Sequence, residues 1–163
     1  MPNWNQIKNK LLEFSKNHPQ VNSFGTGDPI AFGTDNVINL IESDRDRITY
    51  PLVFASVEQG AFNLSQKTLQ VALFVMDRVE ELRDKPDVIG NWKDNEDEVV
   101  SDMFDVLSDF VSAFQDDPSI DYTLNGSVTA DPFFSVRDDQ VTGWRAVLTF
   151  ELPFSRSVCI IPT

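Results

Sequence analysis

The chain has 163 residues, 41% of them hydrophobic and 11% aromatic, with 13 Phe; that supports one folded domain over residues 1–163 and excludes a disordered polar chain. Its 26 acids and 13 bases give a net charge of −13, which excludes a sequence-wide basic surface for gripping phosphates. Cys159 is the one cysteine, so there is no intrachain disulfide and no thiolate metal cluster, and the longest apolar run, Val71 to Met76, is too short to cross a bilayer.

Asn3 to Asn17 reads as a helix. Trp4, Ile7, Leu11 and Phe14 recur at helical spacing, and Asn3 with Gln6 forms a capping box. Nothing at this start resembles a signal peptide. His18-Pro19 ends the helix, because a residue before proline is pushed out of the helical region. Gln20 to Pro29 reads as a loop. Asn36 to Glu42 is predicted as a short strand, Ser43 to Arg47 as a charged turn, and Ile48 to Glu58 as a second strand whose early part lies at an edge because of Pro51. Gln59 to Lys67 reads as a polar loop carrying Gly60 and Phe62. Thr68 to Val79 is a third strand, apolar on both faces at its centre, so it belongs mid-sheet.

Arg83 to Lys93 reads as a loop, with Trp92 either a lid on the core or an interface anchor, the lid being favoured. Asn95 to Phe114 is the strongest helix. Asn95 and Glu98 suggest a capping box, acids crowd the first turn, and Val99 or Val100, Met103, Leu107, Phe110 or Val111, and Phe114 form the buried stripe. Ile120 to Leu124 can begin another strand. Val128 to Ser135 and Gly143 to Phe154 form a hairpin across Arg137 to Gln140. In its second strand Trp144, Ala146, Leu148, Phe150, Leu152 and Phe154 share one face, as period-two alternation requires. The fold class is α+β: a mainly antiparallel sheet of five to six strands with two helices packed on one face.

Three candidates for chemistry fail on context. Gly25-Thr26-Gly27-Asp28-Pro29 lacks the Gly-Lys-Ser/Thr ending of a phosphate loop. His18, the one histidine, sits where a positive charge favours the helix dipole, with no nucleophile and acid arranged about it. Cys159 beside Ile160 and Ile161 reads as a small packed hydrophobe. The expectation is no catalytic residue, no cofactor and no bound metal. Glu98, Asp102, Asp105 and Asp109 share one helix face, and Asp94 to Val136 holds eleven acids without a Lys or Arg. A solvated face, a metal site and a subunit-facing or lumen-facing surface are the readings of that row. A row on one helix does not converge on an ion.

The N-terminal helix, the run Tyr50-Pro51-Leu52-Val53-Phe54 and the third strand ending Phe74-Val75-Met76-Asp77 are three parts of a larger pattern. The acidic amphipathic helix, Gly143 to Leu148 in the last strand and Cys159 near the end complete it. In this order of elements, over almost the whole chain, the sequence resembles the tail-terminator and neck-ring proteins of tailed bacteriophages. The resemblance implies a non-enzymatic virion protein that closes into a homo-oligomeric ring at the head–tail junction or tail end. It also implies contacts with other neck, tail or portal proteins, DNA passing without specific binding, no membrane, and the host cytoplasm during assembly. In such families a loop between early strands often reaches a neighbouring subunit, which here would be Gln59 to Lys67.

The subunit interface is therefore expected at Phe62, at the apolar outliers Phe74, Met76 and Val147, and between opposite charges. Arg45 and Arg47, with Lys8, Lys10 and Lys16, would meet Asp102, Asp105 and Asp109, with Glu98, Asp116 and Asp117, of the next subunit. Two other classes remain: a small acidic binding protein, either a mimic of DNA charge or a partner-binding module, and an enzyme or small-ligand-binding α+β domain with a pocket between helix and sheet.

Overall fold

A computed structural model describes residues 3–27, 50–80, 95–117, 122–136 and 141–153. In chain order the elements are helix α1 (Trp4–Asn17), strands β1 (Ser23–Thr26), β2 (Leu52–Phe62) and β3 (Gln66–Arg78), helix α2 (Glu96–Gln115), and strands β4 (Thr123–Leu124), β5 (Ala130–Val136) and β6 (Val141–Pro153). They form one sheet in the order β1-β2-β3-β6-β4, with β5 also paired to β6. The β1–β2 pair is parallel and the others are antiparallel. β4 meets β6 at Glu151 and Phe150, and β5 meets it from Ala146 to Val141, so the two short strands lie end to end along one edge. This is the expected α+β fold.

The local causes are visible at the helix ends. Asn3 accepts the Gln6 N–H at 3.3 Å, so the first helix carries the side-chain cap that its sequence announces. α2 does not. Asn95 makes no side-chain cap bond. Its carboxamide oxygen accepts the Glu80 N–H at 2.6 Å, while the Asn95 N–H donates to the Glu80 carbonyl at 3.2 Å. Asn95 thus ties the chain just beyond β3 to the start of α2, and the three acids Glu96, Asp97 and Glu98 are left to favour the helix dipole.

Both helices lie on one face of the sheet. Ile7 and Leu11 of α1, and Val99, Met103, Val106, Leu107, Phe110 and Phe114 of α2, share a core with Val53, Val71, Leu73, Val75, Ala146, Leu148, Phe150 and Leu152. Its centre is aromatic. Phe14 meets Phe110 edge-on at 4.7 Å, and Phe150 meets Phe114 at 5.1 Å and Tyr122 at 5.5 Å. Such pairs add about 0.5–1.5 kcal/mol each to simple burial. Trp144, half-buried beside this core, donates its indole N–H to the Val100 carbonyl at 2.8 Å and pins the last strand to α2.

Four sequence expectations change. Gln20 to Pro29 is not all loop, because Ser23–Thr26 pairs alongside Leu52 to Ala55. A Cβ on Gly25 or Gly27 would come within 3.2 or 2.9 Å of the Phe54 ring, so the glycines leave room for that ring rather than for phosphate. β2 begins at Leu52, after Pro51, whose carbonyl accepts N–H bonds from Asn22 and Ser23. Gln59 to Lys67 is the end of a long β2–β3 hairpin and not a loop. Phe74 and Met76 are also not left for a neighbour to cover. With Leu52, Ala72 and Val141 they form a second buried cluster on the face away from the helices, against which Tyr50, Phe54 and Phe133 pack. The expected strand Asn36–Glu42, the turn Ser43–Arg47 with Arg45 and Arg47, the loop with Trp92, and Cys159 lie outside the described residues.

Candidate interaction surface

The β2–β3 hairpin extends well past β1, which pairs only with Leu52 to Ala55. A register shift between Val57 and Gln59 makes Glu58 the extra residue of a bulge, and bulges bend and twist a strand. From Glu58 onward the residues of β2 are exposed. The tip is closed by Asn63. Its side chain accepts the N–H groups of Ser65 at 2.9 Å and Gln66 at 2.6 Å, and its own N–H donates to the Gln66 carbonyl. This is an Asx-type turn, in which a side chain replaces a backbone acceptor. It leaves Phe62 75% and Leu64 76% exposed on either side of Asn63. The polar residues of both strands hid this hairpin in the sequence; Asn63 two residues before Ser65 was the available signal.

The far face is covered by cations as well as by rings. Arg145 of β6 stands 5.8 Å from the centre of the Phe74 ring and pairs with Glu58, the bulge residue. Arg78 stands 5.5 Å from the Tyr50 ring. Guanidinium groups over aromatic faces hold a charged exterior on an apolar layer. Val147, opposite Ala72 in the ladder, is half-buried on this face.

On the helix side, Glu98, Asp102, Asp105, Asp109 and Asp116 are all exposed. They do not act alike. Asp109 lies 2.9 Å from His18 Nε2. The other ring nitrogen, Nδ1, accepts the Gln20 N–H at 3.2 Å, so in this arrangement Nε2 carries the hydrogen and donates it to Asp109. The His18 side chain is 7% exposed, beside the Phe14 and Phe110 rings. It ties the end of α1 to α2. Lys10 pairs with Asp117 at 2.5 Å and lies over the Phe114 ring, so both are engaged within one chain and not held for a neighbour's charge. Asp77, at the far end of β3, has its carboxyl pushed above the usual range by burial, with Glu80 and Asp102 adding repulsion; the Arg78 N–H pulls the other way. Burial, with Asp117 nearby, pushes the Tyr122 hydroxyl up to about 12.

Sequence reasoning passed over Phe104. It breaks the acidic face of α2 at 46% exposure, with its ring 4.9 Å from that of Trp144. Being next to Met103, it falls outside the buried stripe, and that misfit was its only signal. Phe134 of β5 is 55% exposed. Among the described residues no group of three His, Cys, Asp or Glu is placed to hold a metal ion, and no helix is long and apolar enough to cross a membrane. No protein-family model matches the chain, and no curated protein matches its sequence.

Proposed function

We propose that the protein is a non-enzymatic structural subunit that assembles into a ring at the head–tail junction or tail end of a tailed phage, through which DNA passes without being gripped. The observation that carries this reading is the projecting β2–β3 hairpin, whose tip holds Phe62 and Leu64 in solvent. Neighbouring large hydrophobics exposed on a projection are a mark of contact with another surface. The sequence resemblance supplies the setting: virion neck or tail, with portal, neck or tail proteins as partners. The acidic exterior of α2 suits a channel wall, because it repels the duplex at short range. Phe110, Phe114, Phe150 and Tyr122 belong to the core that packs α2 on the sheet.

The acidic face of α2 favours one second reading, a monomeric mimic of DNA charge. Mass separates the two. The chain should sediment as a high-order oligomer, alone or when co-expressed with neck and tail proteins. A monomer in both preparations would end the ring reading and leave the mimic.

A further inference from the structure

We infer that the hairpin tip of one copy seats on the Phe104–Trp144 surface of the next, in a head-to-tail contact. This rests on the reading of the chain as a self-assembling subunit and names the surfaces that meet. Phe62 and Lys67 are cross-strand partners, so both side chains leave the same face of the tip, an aromatic beside a cation. Phe104 offers the complement, an exposed ring resting on Trp144, with Asp97 and Asp105 exposed on the same helix. Apolar group meets apolar group and cation meets acid, which fixes orientation as well as attraction.

The two surfaces cannot meet within one copy. Trp144 pairs with Val75 near one end of the β3–β6 ladder, and Pro153 pairs with Gln66 at the tip end. From Trp144 to Pro153 a strand spans about 30 Å, and paired strands do not fold back. A contact between the two surfaces therefore joins two copies. Because the joined patches differ, a joined pair still offers one tip, on one copy, and one Phe104–Trp144 surface, on the other, the arrangement that closes into rings or runs on as filaments.

The test uses the full chain with Cys159→Ser. Protein carrying Leu64→Cys is mixed with protein carrying Ser101→Cys, one turn before Phe104, and oxidised mildly. The expected product is a disulfide joining position 64 of one copy to position 101 of another, found by peptide mass analysis. Phe104→Ala and Leu64→Ala should each weaken self-association at least about tenfold, and the double variant should be little worse than either, as for residues sharing one contact. An oligomer that gives no such cross-link, or only joins position 64 to position 64, overturns this contact while the ring reading stands. A chain that remains monomeric at every concentration and with its co-expressed partners overturns both.

Discussion

Gly143 of β6 lies so close to Val75 of β3 that a Cβ at position 143 would stand 1.9 Å from the Val75 carbonyl oxygen and 2.8 Å from the Met76 Cα. The obstacle is backbone, which cannot swing aside as a side-chain end can. Gly143 is also the partner of Phe133 in β5, so the strand is held on both sides. Gly143→Ala must push β3 and β6 apart where the two structural layers are joined. The expected loss is at or above the top of the ~1–3 kcal/mol usual for overpacking. Urea denaturation checks it; an unchanged midpoint would mean that the ladder opens there at no cost.

Leu148 tests the opposite fault, a hole. It is fully buried between α2 and the sheet, in register with Val71. Leu148→Ala should cost on the order of 2–5 kcal/mol, the range for a deleted core leucine. A loss under about half a kcal/mol would place β6 outside the core.

The strand that carries both residues was the most legible part of the sequence. Trp144, Ala146, Leu148, Phe150 and Leu152 alternate cleanly because one face of β6 packs into the core beneath α2 and the other meets a thinner layer. The stripe on α2 was legible for the same reason. The double face of β3 was legible as central, but its consequence was not. Phe74 and Met76 are covered by Tyr50, Phe54 and Phe133, residues distant in sequence, and no local pattern reports that. Nor could spacing show that Asn95 binds Glu80 instead of capping α2, because either partner satisfies the same carboxamide. At the candidate surface Phe62 stood out because its polar neighbours offer no core. Leu64 and Phe104 did not, since exposure depends on where the hairpin and helix end up.

Asp77 and Tyr122 set a pH dependence with a definite sign. Both have raised pKa values, so the folded state favours their protonated forms. For each, the stabilising contribution is present below the unfolded pKa and is lost as pH rises through the folded one. For Asp77 the loss begins at 3.8 and is complete once its raised folded pKa is passed. Asp77→Asn should therefore stabilise the protein at neutral pH and make no difference in acid; its amide oxygen can still accept the Arg78 N–H. For Tyr122 the loss runs from 10.0 to about 12. Tyrosinate absorbance in a Tyr50→Phe background should rise only near the upper value. Equal stability of wild type and Asp77→Asn at neutral pH would show that the carboxylate is not disfavoured by its surroundings.

Phe62→Ala should separate assembly from folding. The side chain is three-quarters exposed, so the isolated subunit should melt within about half a kcal/mol of wild type, as surface substitutions do. Association should weaken by roughly 2 kcal/mol, the scale of a buried aromatic anchor. Analytical ultracentrifugation beside thermal melting reads both. If melting falls as much as association, Phe62 supports the hairpin itself.

The acids on α2 predict how the protein treats free DNA. Glu98, Asp102, Asp105 and Asp116 are exposed, while Lys10 is paired with Asp117 and Arg145 with Glu58. Those two cations are already neutralised by the protein's own carboxylates, and the chain as a whole carries −13. Binding to duplex draws its strength from releasing counterions at each phosphate that a free Lys or Arg replaces. With acids facing outward, approach instead costs repulsion over about 10 Å at moderate salt. Titration with duplex at low salt, where any such affinity is greatest, should show no saturable binding at micromolar protein. Submicromolar binding that weakens steeply with salt would mean that a basic surface dominates. DNA would then be gripped rather than passed, and the charge argument for a channel wall would fall.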